Sequence, residues 1–457
     1  MSATSVKVIF PSGMLGSGFD AASVPRGIDL GATAIAIDAG STDSGPFYLG
    51  ADQPKSARAA VKRDLHLLLT AARGANIPLV IGSCGTSGTD KGVDWAAEIV
   101  EEISAEQGLS FTLARIYSEQ SPAALTTALL ARRIHALPPA GDLDEATLQR
   151  CEHIVGLMGA EPMMAALAGG ADVVLAGRAS DTSMVAALAL ISGLPPGPAW
   201  HAAKTVECGD QCTTNPQGGG VLVEIDTRGF TVAPLDPETS CTPSSVAAHM
   251  LYENANPFRL LEPSGALDTS SATYTALDDR TVRVEGSRFE QASRRTIKLE
   301  GSARTGYETM SFVGIADPSV LGDLDRWLAR LEEMTARRVH DSLGIDARQY
   351  TIHLRCYGND AVLGALGRPS DAPREVGVMM RVRAQTQEDA TAIAKTANPL
   401  LLHLPLNGAL HLPSFAFATS PAETERGATY EFVLNHIIDI DEPLDLFRIK
   451  FSEVSHD

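Results

Sequence analysis

The sequence has no uninterrupted apolar stretch long enough to span a bilayer, so nothing in it predicts a transmembrane helix. Aromatic residues are scarce, at 5%. Basic residues are outnumbered: 37 Lys and Arg stand against 56 Asp and Glu, a net charge of −19. That balance argues against a nucleic-acid surface and against docking on an anionic membrane. It still allows a small anionic substrate, provided that arginines and backbone N–H groups are gathered locally. Cysteines number only six in 457 residues, in no paired spacing, which predicts a reducing, cytoplasmic setting without a disulfide framework. No H-x-x-x-H pair occurs, and the glycine-rich loops match neither the dinucleotide fingerprint nor a P-loop. MSATSVKVIF runs straight into a strand, so no leader peptide is expected.

What is present is an ordinary globular composition, 44% hydrophobic and 20% charged. A chain of 457 residues is too long for one ordinary core, so two or more domains are expected. The first half alternates short apolar runs with helix-like stretches. Strands are predicted at Val6–Phe10, Ala34–Asp38, Pro78–Ile81, Phe111–Tyr117, Glu152–Leu157 and Ala171–Ala176. Helices are predicted at Pro54–Ala75, Asp94–Glu106, Pro122–His135 and Met163–Ala168. Strands alternating with helices imply an α/β fold: a doubly wound, mostly parallel, Rossmann-like sheet over residues 1–218. Beyond that the texture changes to alternating, Gly-bounded strands and a long amphipathic helix, Leu321–Leu343, so a second, α+β domain is expected over 219–457, closing a cleft.

The densest candidate site starts at Val173–Asp181, VVLAGRASD. An apolar strand ends, Arg178 follows, and Asp181 stands where it can cap the helix beginning TSMVAALALISG. Ligands collect at the carboxyl ends of parallel strands. Three strand ends there carry small polar loops: SGMLGSG with Gly16, AGSTDSG with Ser41, and GSCGTSG with Ser83, Cys84 and Gly85. Such loops serve as tight turns, or they offer backbone N–H groups and hydroxyls to a carboxylate or phosphate. Their recurrence at consecutive strand ends favours a shared crevice. Cys84 is either a nucleophile with a lowered pKa or a small residue at a crowded turn. Glu207 and Cys208, in ECGDQC, add a candidate general acid or base and a thiol. That segment has no recognised zinc pattern, so no metal ligand is assigned, although a divalent metal stays open. Arg280 and Arg288 are either strand salt-bridge residues or guanidinium clamps for a substrate carboxylate, and Lys298 stands at a further Gly-punctuated strand end. His403 and His411 read as packing or surface histidines.

Several of these segments together resemble the acyclic terpene utilization protein A (AtuA-type) family. They are VVLAGRASDT at 173–182, ECG at 207–209, NPF at 256–258, Tyr274 to Phe289 with LDDR and GSRF, and KLEG with a following GY at 298–307. GSCGTSG after the third strand fits as well. The resemblance covers nearly the whole chain. It implies a part in bacterial breakdown of branched terpenoid acids as coenzyme A thioesters, with a hydratase step proposed. Some relatives carry, or are encoded beside, a small ferredoxin-fold domain. No appended copy is expected in this chain, so a small ferredoxin-fold companion subunit is among the partners the resemblance allows.

On this reading the protein is a lyase or hydratase acting on a small carboxylate or acyl-CoA substrate. Glu207 or Asp181 moves a proton next to a carbonyl, and loop N–H groups steady the enolate-like oxygen. No cofactor is required beyond coenzyme A as part of the substrate. An isomerase or epimerase, a non-catalytic subunit awaiting its partner, and a transferase with a covalent glutamyl intermediate use the same parts. A homo-oligomer is the default for a cytoplasmic enzyme of this size.

Overall fold

The computed structural model describes residues 5–455 except 217, 253, 255, 368–372 and 407–414; His411 lies outside the described residues. By their internal contacts the residues form two units, 1–303 with 432–457, and 304–431. The texture change near residue 218 falls inside the first of these.

The first unit is built on a ten-stranded sheet. Its order is Thr273–Ala276, Val282–Glu285, Gly229–Pro234, Val221–Asp226, Ser5–Phe10, Ala34–Asp38, Leu79–Gly82, Val173–Ala176, Phe111–Tyr117 and Arg448–Val454. From Ser5–Phe10 to Phe111–Tyr117 neighbouring strands run parallel. Every flanking strand joins antiparallel. The expected mostly parallel, doubly wound Rossmann-like sheet is therefore not what forms: the large sheet is mixed, and the remaining sheets are antiparallel. The hairpin 221–234 pairs with the first strand, and the last strand of the chain pairs with Phe111–Tyr117. Cys151–Leu157, expected as a parallel neighbour, instead pairs antiparallel with residues 298–303 in another sheet. Apolar runs report burial, not the direction of the partner, so local pattern left these pairings undetermined.

The central strands are buried on both faces because their side chains alternate between two cores. Val8, Ala36, Val80, Val174 and Ile116 face one core, shared with helices Glu161–Ala168, Ser183–Ile191 and Pro196–Val206. Ile9, Ile35, Ile37, Ile81 and Leu175 face the other, shared with helices Arg58–Ala75 and Asp90–Gln107. The latter helix starts where Thr89 accepts a bond from the Gly92 N–H (3.1 Å) and ends at left-handed Gly108. The helix expected over Pro122–His135 ends at Leu130. Arg132 turns the chain left-handed (φ +56°), and Ile134–Ala136 pairs with residues 436–438.

The second unit has its own core. Strands Tyr350–Tyr357 and Val376–Ala384 pair with each other, and the latter pairs with residues 307–315 of the long strand Thr296–Ile315. Helices Leu324–Leu343 and Gln387–His403 pack apolar faces, including Trp327, Leu331, Ile393 and Leu400, into that core.

Candidate functional site

Parallel pairing brings the carboxyl ends of the central strands, Asp38, Gly82, Ala176 and Tyr117, to one edge of the sheet. Arg178 follows the strand Val173–Ala176 at this edge and is 6% exposed. Its N–H donates to Ser118 Oγ (2.7 Å) and to the Gly88 carbonyl (3.1 Å). Its guanidinium is shared out entirely within the fold. Nε donates to Glu300 Oε2 (2.9 Å), Nη2 to Thr42 Oγ1 (3.2 Å), and Nη1 to Ser83 Oγ (3.4 Å) and the Ala179 carbonyl (2.9 Å). Asp181 stands 3.5 Å from Nη1. Asp181 does not cap the following helix, whose N-cap position is Thr182. Burial works against the Arg178 charge, but Glu300 and Asp181 outweigh it and raise its pKa.

Glu300 is the hub of this network. Besides Arg178 it accepts from Lys298 Nζ (2.7 Å) and Thr42 Oγ1 (3.0 Å). Burial alone would raise its pKa, yet the two cations hold it down at about 2. Asp38 is driven the other way, well above the usual carboxylate range, by burial and by the charge of Asp181. Thr42, Lys298 and Glu300 open onto a cavity of about 780 Å³. Asp43, Asp142 and Arg150 also line it, as do the apolar Leu143, Phe432, Val433 and Leu434.

A second group of charges lies on the side chains around helix Pro196–Val206. Lys204 pairs with Glu207, and both are buried. Burial raises Glu207 to about 8, against the Lys204 charge and with that of Asp181. Glu262 accepts from Ser180 (2.8 Å) and Thr182 (2.9 Å), and burial lifts it to about 7 against those hydroxyls. Cys208 and His249 line a different cavity, of about 880 Å³, together with the Ser12–Gly18 loop. His249 is held near 4 by burial, with Lys204 adding to the effect.

The other sequence candidates fall as follows. Ser83 and Asp181 join Arg178. Ser41 caps the Thr42–Ser44 turn and donates to Asp43 Oδ2 (2.8 Å). The Gly16 N–H donates to buried Asp64 (2.8 Å). Gly85 (φ +69°) lies against Gly92, where a Cβ would come within 2.4 Å of its Cα. The Cys84 thiol is fully buried with its pKa pushed up, by burial and by Asp38. Arg280 donates Nε to the Thr239 carbonyl (2.9 Å), and Arg288 is exposed on the strand Arg288–Gln291; neither is among the lining residues of the 780 Å³ cavity. Lys204, Glu262 and Thr42 escaped the sequence reading. Lys204 had left a signal, as the lone lysine in PGPAWHAAKTV, a stretch with no acidic residue.

A family model described as acyclic terpene utilisation family protein AtuA matches residues 57–434. The chain belongs to this family, as its motifs had suggested. No curated protein and no solved structure matches it.

Proposed function

We propose that the chain is an enzyme of small-acid or acyl-thioester breakdown that adds water to, or removes it from, a branched substrate in the cavity beside Lys298 and Glu300. One observation carries this reading. That cavity is lined by the cations Lys298 and Arg150, the carboxylates Asp43, Asp142 and Glu300, and the apolar Leu143, Phe432, Val433 and Leu434, a mixture that can take a branched aliphatic acid with its one anionic end at a cation. Its volume, about 780 Å³, lies in the range of small-molecule sites. The utilisation of acyclic terpenes by the family agrees with such a substrate.

On this proposal Arg178 and Glu300 are positioning residues. A carboxylate held at about 2 is a poor base and a good anchor, and it fixes Lys298 toward the cavity. Lys298 steadies the negative charge that develops on the carbonyl oxygen. Asp43 faces the same space and takes a proton from water, the hydroxide adds to the β-carbon as the α,β double bond opens toward the carbonyl, and Asp43 returns that proton to the α-carbon. Glu207 is not among the residues lining this cavity.

The test is a thermal shift of the full chain with branched and dicarboxylic acids and their coenzyme A thioesters, since a ligand of the folded state raises the melting point. A shift by one of these, abolished in Lys298→Ala, and turnover lost by about 100-fold or more in Asp43→Asn, are expected. A shift unchanged in Lys298→Ala would move the substrate elsewhere. No shift with any acid or thioester, but one on adding a small partner protein, would make the chain a subunit without its own substrate.

A further inference from the structure

Glu207 and Cys208 follow helix Pro196–Val206, and His249 ends helix Pro243–His249. One ligand atom from each of Glu207, Cys208 and His249 lies within 4.8 Å of the other two. His249 is only 5% exposed, and its buried Nε2 has no hydrogen-bond partner. A buried ring nitrogen left unsatisfied is costly unless something binds it. Histidine nitrogen, cysteine sulfur and glutamate oxygen are the donor set of zinc-type ions, and in tetrahedral zinc sites such atoms stand roughly 3.5 Å apart. From an upper bound of 4.8 Å, a contraction of at most about 1.3 Å brings the three atoms to that spacing.

The surroundings carry both signs: Lys204 pairs with Glu207 and its charge also reaches His249, while Asp181 and Glu262 bring acidic groups toward Glu207. Cys208 and His249 face the 880 Å³ cavity, while Glu207 is buried behind them. Three protein ligands with space on the fourth side is the plan of a metal site that keeps one position for water or substrate.

We propose that Glu207, Cys208 and His249 bind a divalent ion of the zinc type, with the fourth position open to the cavity beside the Ser12–Gly18 loop. This uses residues and a cavity other than those of the proposed hydratase site, so either reading can fail alone.

The test is cobalt(II) titration of the full-length chain after chelator treatment, read by absorption. One cobalt per chain is expected, with a thiolate-to-cobalt charge-transfer band that zinc displaces. Cys208→Ser, a near-isosteric change, should lose the band. Cys212→Ser should keep it, because Cys212 is buried against Cys241. His249→Ala should weaken cobalt affinity at least about tenfold, with far-UV circular dichroism confirming that each variant is folded. No thiolate-to-cobalt band in the wild-type chain, or a band that survives Cys208→Ser, overturns the proposal.

Discussion

At the scale of single residues, the chain spends its buried charges on one another. Glu300 shows this best. In an unfolded chain its carboxyl titrates near 4.5, and in the fold near 2. The stabilisation from its ionised form is complete above pH 4.5 and is lost as pH falls from there toward 2. Glu300→Gln leaves the Arg178 charge buried beside a neutral amide, which costs about 3–5 kcal/mol at pH 7 in denaturant unfolding. It should also flatten the acid limb of stability between pH 4.5 and 2. An unchanged acid limb would show that Glu300 is not the group held low. Cys84 makes the opposite case for reading burial before motif. GSCG allowed either a nucleophile or a small residue at a crowded turn, and the fold buries the thiol and pushes its pKa up. Its alkylation in the native protein should go no faster than global unfolding; rapid labelling at neutral pH would contradict this burial.

At the scale of elements, the loops that look alike in sequence do different jobs. SGMLGSG packs against Cys208: a Cβ on Gly13 would stand 3.2 Å from the Cys208 backbone. AGSTDSG delivers Thr42 to Arg178, and GSCGTSG lets its backbone lie under that arginine. The last contact is the tightest. Gly88 has φ +68°, and a Cβ there would fall 2.0 Å from the Arg178 nitrogen. Gly31 shares the left-handed backbone (φ +83°) but has open space around it. Gly31→Ala should therefore cost only the conformational penalty, about 1–2 kcal/mol. Gly88→Ala adds steric overlap, for roughly 2–5 kcal/mol in all. Equal losses in chemical denaturation would mean that the close approach of Gly88 is not what its conformation serves. Small residues after a strand were legible in the sequence. Which loop touches ligand space and which touches protein was not, because that depends on neighbours far along the chain.

At the scale of the whole molecule, each unit has hydrophobic clusters of its own among the described residues. The two clusters around the ten-stranded sheet draw on residues of the first unit alone, and the cluster around Trp327 draws on the second. Separate cores predict two calorimetric transitions, with a calorimetric enthalpy above the van't Hoff value of either one. A single transition with matching enthalpies would show that the units unfold as one. No helix among the described residues is long and apolar enough to cross a membrane, as the absence of long apolar runs implied.

Much of this protein was written locally. The buried strands at 34–38, 111–117 and 173–176, the hairpin turning at Thr227–Gly229, the Arg178 strand end and the family resemblance were all legible, since hydrophobic period and turn residues are properties of chain neighbours. The direction of strand pairing was not, and neither was the partner of each charge. Ser5 pairs with Asp226 and Phe111 with Val454, and Arg178 meets a glutamate 122 residues away. A guanidinium looks the same in sequence whether it waits for substrate or is already bound to its own chain. Only the closing of those long loops determines which, because an arginine's partner is set by what the folded backbone brings within hydrogen-bond reach.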